Sequence, residues 1–409
     1  MDSKIKEALI KIVGPDNFTD TLIDRVSFSY DSSGLNRRPA AAVWIKNTPQ
    51  VSEILKLANR HKFPVTPRGA GTSLTGSAVP QEGGLVLDMS QMKEILKISI
   101  EDRLVVVQPG VVFEDLNKAL APLGLHTGSN TMKCVSGYDL TRLFVGSEGT
   151  LGVVTEITLK INPRPRATRT CSATFNDLPQ AGRAVSEIMR SGIIPSVLEL
   201  MDSPSLQAVN QATDLDLPEV EAMLLAETDG YTQQEADGQM DKIVEALKNN
   251  NAGEIVQAST TEEADKLWRA RMEIYGVLTR LNYNVMAEDL VVPISKVAEM
   301  LTGILDIGKR HNILIATVAH AGDGNIHPVV VYDGTNPAEA TLVKQVEADL
   351  FKLAIDLGGT LTGEHGVGIS KSKYMRLEHD SVFMQVMNDL KKLFDPNAIL
   401  NPGKLGLDL

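Results

Sequence analysis

The feature that most limits how this chain can fold is a proline-rich break after its first third. Pro163 and Pro165 stand two residues apart in the run 162–166. Proline fixes φ and lacks an N–H group, so neither a helix nor a central strand continues through such a run. We therefore predict a domain boundary there. At roughly 100–200 residues per domain, the 409 residues predict two or three domains.

Helix and strand patterns alternate on both sides of the break. Before it, Val51, Ile54 and Ala58 recur at helical spacing, and the apolar run 104–107 is bounded by turn residues as a buried strand would be. This pattern predicts an α+β or α/β nucleotide-binding domain. Beyond it, strand patterns alternate with helical ones such as 261–274, which predicts a second layer of the α/β type.

Composition and charge exclude several classes of protein. The chain carries 40 basic and 52 acidic residues, a net charge of −12, which argues against nucleic acid as the main partner. Two cysteines, Cys134 and Cys171, cannot form a disulfide scaffold or a four-cysteine metal site. The N-terminus is typical of an amphipathic helix, and no run approaches the ~18 apolar residues of a membrane span. We therefore expect a cytoplasmic enzyme.

The strongest chemical signal is a pair of histidines around a predicted hairpin. Asp323-Gly324 lies between two apolar runs and favours a type I′ turn, which would place His320 opposite His327. Directly opposed residues hold their Cβ atoms ~4.5–5.5 Å apart, so both imidazoles could bind one metal ion. The alternative is two histidines on a solvated hairpin face.

The run GEHGVG supplies a third ligand and a titratable group. Glu364 is a hard oxygen donor, and His365 titrates near neutrality. Two histidines and one glutamate leave coordination positions open, as catalytic sites do. Neighbouring residues of an extended chain point in opposite directions, so we expect these two to have separate roles. The alternative is the end of a helix with an incidental charged pair.

Two glycine-rich loops and one arginine complete the candidate sites. The loop 67–76 (PRGAGTSLTG) and the run 146–154 combine glycines with small hydroxyl residues, which suits a phosphate or pyrophosphate. Together they indicate a large phosphate-bearing cofactor, although each alone could be a plain surface loop. Arg271, on a predicted helix, is a candidate clamp for a substrate carboxylate. An exposed helical arginine is the alternative.

These motifs, followed by the tail FDPNAILNPGK, occur in an order that resembles the FAD-linked oxidases of the vanillyl-alcohol-oxidase type. Within them the chain resembles the branch of D-lactate dehydrogenase, the glycolate oxidase large subunit and D-2-hydroxyglutarate dehydrogenase. The resemblance runs from about Tyr30 to Lys404 and implies an α+β fold. It implies a FAD-binding domain of two α+β subdomains (1–165), a cap domain with a large antiparallel sheet (166–355), and a segment returning to the flavin (356–409).

The resemblance also assigns roles to residues. His320, His327 and Glu364 match divalent-metal ligands (for Zn, Mn or Fe), His365 matches the acid/base, and Arg271 matches the carboxylate-binding arginine. The residues that it places along FAD are Pro67, Arg68, Gly69, Ala70, Gly71, Thr72, Ser73, Gly76, Gly146, Ser147, Glu148, Gly149, Gly152, Val153, Val154 and Asn401.

The function implied is FAD-dependent oxidation of a small D-2-hydroxy acid to the 2-oxo acid, by hydride transfer to flavin. An iron–sulfur subunit, an electron-transferring flavoprotein or a quinone would take the electrons. Such a partner could hold the protein at the inner face of the membrane, and a homodimer is compatible with the resemblance. The 2-hydroxyglutarate enzymes carry a lysine in a Lys-Tyr-Asp run where this chain has Ala287-Glu288-Asp289. The loss of that cation favours a monocarboxylate, D-lactate or glycolate.

One departure from the family pattern concerns the flavin. In the family, several tens of residues separate the equivalents of Leu125 and Tyr138, whereas here only a few do. The FAD-binding domain is thus shortened after Leu125. The explanations are an internal deletion, a segment missing from the sequence, or a flavin-deficient, metal-binding remnant with a non-redox or assembly role. A metal-dependent hydrolase is a further alternative. Neither of these two rival functions explains why both glycine loops and the NPGK tail remain.

Overall fold

The computed structural model describes residues 1–81, 83–127, 138–278, 280 and 284–407. Two compact units divide the chain. The split unit consists of Met1–Arg164 and His365–Leu409, and the inserted unit is Pro165–Glu364. The first crossing between them falls within the proline-rich break.

The first part of the split unit forms two small sheets. Its helices are α1 (Ser3–Val13), α2 (Leu22–Ser27), α3 (Thr48–His61), α4 (Phe113–Leu120) and α5 (Leu140–Phe144). Its strands are β1 (Phe18–Thr19), β2 (Ala41–Trp44), β3 (Val65–Arg68), β4 (Leu85–Asp88), β5 (Ile95–Ser99), β6 (Leu104–Val107), β7 (Leu125–Thr127) and β8 (Ile157–Pro163). One sheet has the order β1-β2-β4-β3, with β2 and β3 parallel to β4, and the other is antiparallel with the order β5-β6-β8-β7.

Helix α3 positions the first glycine loop. The side chain of Asn47 accepts a hydrogen bond from the Gln50 N–H and caps the helix, and the helix ends where Lys62 adopts a left-handed conformation (φ 56°). Its apolar face, with Ile54 and Ala58 fully buried, packs in the core of the first sheet. The chain then enters β3, and the glycine loop follows directly.

The inserted unit is built on one large sheet. Its strands are β9 (Ala167–Phe175), β10 (Val197–Asp202), β11 (Ala222–Gly230), β12 (Ile255–Gln257), β13 (Asn284–Ala287), β14 (Leu290–Val291), β15 (Ile315–His320) and β16 (Asn325–Tyr332). Its helices are α6 (Leu178–Arg190), α7 (Ser203–Ala212), α8 (Gln233–Asn249), α9 (Thr261–Leu278), α10 (Val297–His311) and α11 (Pro337–Asp356).

All the strand pairs of this sheet are antiparallel, with the order β12-β9-β11-β10-β15-β16-β13 and β14 paired to β16. The expected α+β fold with a large antiparallel sheet is confirmed. The α/β-type layer predicted from local patterns is wrong, because alternating helices and strands here connect antiparallel neighbours rather than parallel ones.

Helices cover both faces of the large sheet. On one face, Ala270 and Ile274 of α9 and Leu206 of α7 share an apolar core with Met201 and Val318 of the strands. Helix α6 contacts both α8 and α10, and α6 and α8 also contact β9 and β11. Successive side chains of a strand point to opposite faces of the sheet, and helices cover both faces, so successive residues of a strand are buried. A charged side chain on such a strand therefore needs a partner.

The hairpin that carries the two histidines differs from the prediction. Strands β15 and β16 pair His320 with Asn325 and Val318 with His327, so the two histidines are diagonal neighbours on one face and do not oppose each other. The loop is four residues long (321–324) and not a two-residue type I′ turn. Among its residues only Gly324 has a positive φ (80°), whereas type I′ requires positive φ at both central positions.

The chain returns to the split unit after Glu364. Helices α12 (Met375–Glu378) and α13 (Ser381–Phe394) lead to a tail that lies beside β3. The Val65 N–H donates to the Ile399 carbonyl (2.7 Å), and the Asn401 N–H donates to the Val65 carbonyl (2.8 Å). The last residues thus add an extended segment to the edge of the first sheet. Within the described ranges, no helix combines the length and the apolar character needed to cross a membrane.

Candidate functional site

Three of the predicted residues converge in the inserted unit. The Nε2 atoms of His320 and His327 each lie 3.3 Å from Oε1 of Glu364, and the two ring centroids are 5.2 Å apart. One donor atom from each residue lies within 4.8 Å of the others. His327 is buried, whereas 53% of the Glu364 side chain is exposed. The cluster is therefore open on the side of the glutamate.

Hydrogen bonds at the opposite ring nitrogens orient both imidazoles. Nδ1 of His327 lies 3.2 Å from the carbonyl oxygen of Glu288, and Nδ1 of His320 lies 2.6 Å from Oε1 of Glu199. A carbonyl only accepts, so Nδ1 of His327 carries the proton and Nε2 presents a lone pair. Two imidazole nitrogens and one carboxylate make a donor set that fits a divalent transition metal and leaves positions open.

A buried aspartate holds the segment that presents Glu364. Oδ2 of Asp289 accepts hydrogen bonds from Thr362 Oγ1 (2.5 Å) and from the N–H groups of Gly363 and Glu364 (3.0 Å each). The Asp289 side chain is fully buried. In the sequence, the run 287–289 served only to compare substrates, and the role of Asp289 in holding this segment was not predicted.

Arg271 joins the same cluster through a glutamate that sequence reasoning missed. Its Nε donates to Oε2 of Glu199 at 2.7 Å, while Oε1 of Glu199 meets His320. By contrast, the neighbouring Arg269 is half exposed and pairs with Asp214 and Glu273. Of Arg269 and Arg271, only Arg271 is connected to the cluster.

The electrostatic balance at Glu199 favours the charged carboxylate. Burial raises the pKa of Glu199, but the hydrogen bond from His320 and the charge of Arg271 outweigh burial and hold the pKa below its ordinary value. In turn, the hydrogen bond to Glu199 raises the pKa of His320. The sequence signal for Glu199 is a charged residue among the apolar residues 197–201.

In the split unit, the first glycine loop offers unused donors. None of the backbone N–H groups of residues 69–73 donates a hydrogen bond to any part of the chain that the structure describes. Gly71 has φ 74°, and a Cβ there would lie 2.0 Å from the guanidinium of Arg68. The loop thus lies directly over that side chain. Free N–H groups on a glycine loop fit a pyrophosphate.

The Arg68 side chain supports this loop from inside the protein. It is buried, and its Nη1 donates to the carbonyl of Tyr30 at 2.8 Å. Burial lowers the pKa of Arg68, opposed by the charges of Asp31 and Asp88. The side chain therefore braces the loop, and the contact to a ligand is left to the backbone.

The second loop, the turn after His365 and the tail meet in the same unit. The Glu148 carboxylate accepts hydrogen bonds from the N–H groups of Val367 (2.7 Å) and Gly368 (2.9 Å). Nδ2 of Asn401 donates to the carbonyls of Ser77 (2.9 Å) and Glu148 (2.6 Å). Segments that are far apart in sequence are thus joined by partly buried hydrogen bonds.

One atom in this arrangement lacks a partner. Oδ1 of Asn401 is buried and accepts no hydrogen bond from the described ranges of the chain. A buried amide oxygen without a donor is costly, so the position fits the N–H or O–H of a bound group. Together with the free loop N–H groups, it supports a cofactor at this place in the split unit.

Thr75, one of the hydroxyl residues of the predicted first loop, links that loop to His365. Its Oγ1 donates to the carbonyl of His365 (3.3 Å), and its own carbonyl accepts from the N–H groups of Ile369 (2.8 Å) and Ser370 (3.1 Å). The remaining predicted cofactor contacts lie on the two loops and their ends: Pro67, Gly69, Ala70, Thr72, Ser73, Gly76, Gly146, Ser147, Gly149, Gly152, Val153 and Val154. Cys134 and the core of the shortened interval, 128–137, lie outside the described residues.

Two family models match the chain. The FAD binding domain matches residues 39–141, and the C-terminal domain of FAD linked oxidases matches residues 164–405. Glycolate oxidase subunit GlcD of Bacillus subtilis (strain 168) is 38% identical, over 98% of this chain and 96% of that protein. Mitochondrial D-lactate dehydrogenase (cytochrome) of Arabidopsis thaliana is 29% identical, over 97% and 79%.

Among solved structures, p-cresol methylhydroxylase with substrate bound superposes with a TM-score of 0.83 at 19% identity, over 99% of this chain and 97% of that one. The overall fold is therefore shared. The alignment with the Bacillus protein runs over 454 positions, whereas this chain has 409 residues. That relative thus carries several tens of residues that this chain lacks.

Proposed function

The chain belongs to the family of FAD-linked oxidases, and from that membership we propose that it oxidises a small D-2-hydroxy acid, D-lactate or glycolate, to the 2-oxo acid. The observation that carries the proposal is the cluster of two histidines, a glutamate and an arginine in the inserted unit. Such a set suits a substrate that has both a carboxylate and a neighbouring hydroxyl. The named relatives, a glycolate oxidase subunit and a D-lactate dehydrogenase, act on compounds of this class.

The site residues each have a role in the proposed reaction. The planar guanidinium of Arg271 binds the substrate carboxylate through its terminal nitrogens. His320, His327 and Glu364 would hold the metal. His365, the residue after Glu364, accepts the proton of the hydroxyl group. When bound, FAD supplies the hydride acceptor, and the metal supplies Lewis-acid stabilisation of the alkoxide.

The choice of a monocarboxylate rests on the run before Val292-Pro293. Where the resemblance places a lysine for a second carboxylate, this chain has Ala287, Glu288 and Asp289. Asp289 is committed to the hydrogen bonds that hold residues 362–364. Two acidic residues at this place disfavour a second carboxylate on the substrate.

We also propose a separate electron acceptor. One relative is named as a subunit and another is named for a cytochrome. An iron–sulfur subunit, an electron-transferring flavoprotein or a quinone would fill this role. A partner of this kind would bring the protein to the inner face of the membrane.

The experiment is a visible spectrum of the purified full chain, before and after addition of FAD, under anaerobic conditions. We expect flavin absorbance that is lost on addition of D-lactate or glycolate and retained with D-2-hydroxyglutarate. A chain that takes up no FAD would contradict the enzyme and support the metal-binding remnant. Bleaching by D-2-hydroxyglutarate alone would overturn the choice of substrate.

A pair of variants tests the metal ligands. His320→Ala should lose bound metal and activity but keep its flavin. His311→Ala is the matched control, because His311 pairs with Asp349 on another part of the inserted unit (2.8 Å). Equal metal content in the two variants would show that the histidine pair is not a metal site.

A further inference from the structure

We propose that Glu199 is a positioning residue that orders the metal ligand His320 and the carboxylate-binding Arg271 at the same time. The proposal rests on the function proposed above for this cluster. Its consequence is that metal affinity and substrate affinity depend on one buried carboxylate that would touch neither ligand.

The geometry divides the two carboxylate oxygens between the two partners. Oε1 lies 2.6 Å from Nδ1 of His320, and Oε2 lies 2.7 Å from Nε of Arg271. Glu199 and His320 are directly paired residues of β10 and β15, so the backbone register itself sets one contact. Arg271 reaches the other oxygen from α9.

Burial makes this arrangement stringent. Glu199 is 5% exposed, and a buried carboxylate is stable only when it is paired and hydrogen-bonded. Both of its partners are residues to which the proposed reaction assigns a role. A glutamate at the centre of an apolar strand is costly for folding, so its presence is better explained by the two side chains that it orders.

The contact to His320 determines which nitrogen can bind a metal. A carboxylate accepts at Nδ1–H, which leaves the lone pair on Nε2, the atom that faces Glu364. The contact to Arg271 uses Nε and fixes the plane of the guanidinium. Its two terminal nitrogens make no hydrogen bond or ion pair within the described ranges, and the side chain is 20% exposed.

An amide in place of the carboxylate cannot serve both partners. If the amide oxygen of Glu199→Gln accepts from Arg271, its NH2 group faces Nδ1 of His320. That nitrogen must then accept, so the proton moves to Nε2 and blocks the metal-binding lone pair. If the amide oxygen accepts from His320 instead, Arg271 loses its partner and its fixed plane.

The chain offers a matched control in Glu227. It lies on the same face of the sheet, and its Oε2 also accepts from a residue of α9, Trp268 Nε1 (3.2 Å), and from Thr170 Oγ1 (3.1 Å). None of its contacts reaches the histidines. Glu227→Gln therefore measures the effect of losing a carboxylate that connects a strand to α9 but does not contact the histidines.

The experiment compares full-length, flavin-loaded wild type, Glu199→Gln, Glu199→Asp and Glu227→Gln. Free Mn²⁺ is measured by electron paramagnetic resonance during titration, and KM and kcat for D-lactate are measured at saturating Mn²⁺. We expect Glu199→Gln to weaken Mn²⁺ binding by about 10–100-fold and to raise KM for D-lactate. Glu199→Asp, which keeps the charge, should recover part of both, and Glu227→Gln should match the wild type.

The outcomes separate this proposal from the function on which it rests. A wild type that binds Mn²⁺ and oxidises D-lactate, beside a Glu199→Gln variant that resembles Glu227→Gln, overturns the role of Glu199 alone. A change in Mn²⁺ affinity without a change in KM, or the reverse, overturns the joint role. A wild type with neither Mn²⁺ binding nor activity overturns both proposals. If Glu199→Gln does not fold, Glu199→Asp decides, and wild-type values for it contradict the proposal.

Discussion

Asp202 shows how strongly a single buried carboxylate can make stability depend on pH. It is 1% exposed and caps α7, accepting from the Ser205 N–H (3.0 Å), Ser205 Oγ (2.7 Å) and the Thr317 N–H (2.7 Å). Burial raises the pKa of Asp202 to about 7 despite these hydrogen bonds. The folded protein therefore holds this proton more tightly than the unfolded chain does.

We accordingly expect the contribution of Asp202 to the free energy of unfolding to be complete near pH 4 and to be lost as pH rises to about 7. A pKa difference of about three units corresponds to about 4 kcal/mol. Asp202→Asn should remove much of this decline, measured by urea unfolding at several pH values. Asp177→Asn, before α6, is the control, since its side chain is 44% exposed. An equal decline in Asp202→Asn and wild type would contradict the prediction.

Gly146 and Gly149 of the second loop allow the cost of a steric contact to be measured separately from the cost of backbone strain. Gly146 and Gly149 both have positive φ (80° and 73°), but only at Gly149 would a Cβ meet a neighbour, Pro67 Cγ at 2.5 Å. We expect Gly146→Ala to cost about 1 kcal/mol of stability, and Gly149→Ala about 1–3 kcal/mol more. Thermal unfolding and FAD content measure the difference. Equal effects would show that the contact with Pro67 relaxes freely.

The residues that sequence reasoning identified and missed differ in a physical way. His320 and His327 lie on the two strands that flank a glycine-containing loop, and Glu364 lies in a glycine-rich turn, so all three stand near turn residues that are conspicuous in the sequence. Glu199 and Asp289 lie in or beside apolar strands, and their partners are distant in sequence: Arg271 for the first, residues 362–364 for the second. A pattern within a short window cannot show such partners, although a charge among buried apolar residues indicates that one must exist.

At the scale of elements, a buried lysine connects the end of α13 to a loop and to the tail. Nζ of Lys391 donates to the carbonyls of Thr150 (2.8 Å) and Leu400 (2.7 Å) and pairs with Asp395 (2.5 Å). The Lys391 side chain is 1% exposed. The helix, the second glycine loop and the strand-like tail thus share one charged centre.

We expect Lys391→Met to destabilise the protein by about 3–5 kcal/mol, because it leaves the Asp395 carboxylate buried and unpaired. Lys392→Met, on the exposed side of the same helix, should change stability by less than about 0.5 kcal/mol. Denaturant unfolding compares the two. An equally small effect of the two substitutions would contradict the prediction.

The helical pattern from Val51 to Ala58, the helical run 261–274 and the strand 104–107 could be predicted from periodicity, but strand pairing could not. The histidine hairpin has a longer loop and a different register from the one expected. Asp-Gly favours a tight turn, but the Gly324 carbonyl accepts a hydrogen bond from the N–H of Val292 (3.1 Å), which follows β14 about thirty residues earlier in the chain. Tertiary contacts of this kind decide the register, and local sequence does not contain them.

At the scale of the whole molecule, the proposed metal donors all belong to one continuous stretch of chain. His320, His327 and Glu364 lie within Pro165–Glu364, as do Glu199 and Asp289, which orient them. We expect a fragment of residues 165–366 to fold and to bind Mn²⁺ without flavin. Circular dichroism and Mn²⁺ titration test this, with His327→Ala as the control. A folded fragment without Mn²⁺ affinity would contradict the prediction.

The large sheet could not be predicted from local patterns, and only the family resemblance anticipated it. Its order places β9 between β12 and β11, and β10 beside β15, where Glu199 pairs with His320, so neighbours in space can lie more than a hundred residues apart in sequence. Alternating helices and strands are compatible with many such orders. Family membership selects one of them because it carries the topology as a whole.

The division of the split unit has a consequence for how the protein is made. Residues 399–401, which extend the edge of the first sheet beside β3, leave the ribosome after the entire inserted unit has been synthesised. Until residues 399–401 emerge, the edge of β3 lacks this segment and Asn401 is not yet in place beside the two loops. The inserted unit lies wholly before these residues in the chain, so we expect it to fold first. A chain terminated before residue 399 would therefore carry all the proposed metal donors and an unfinished cofactor domain.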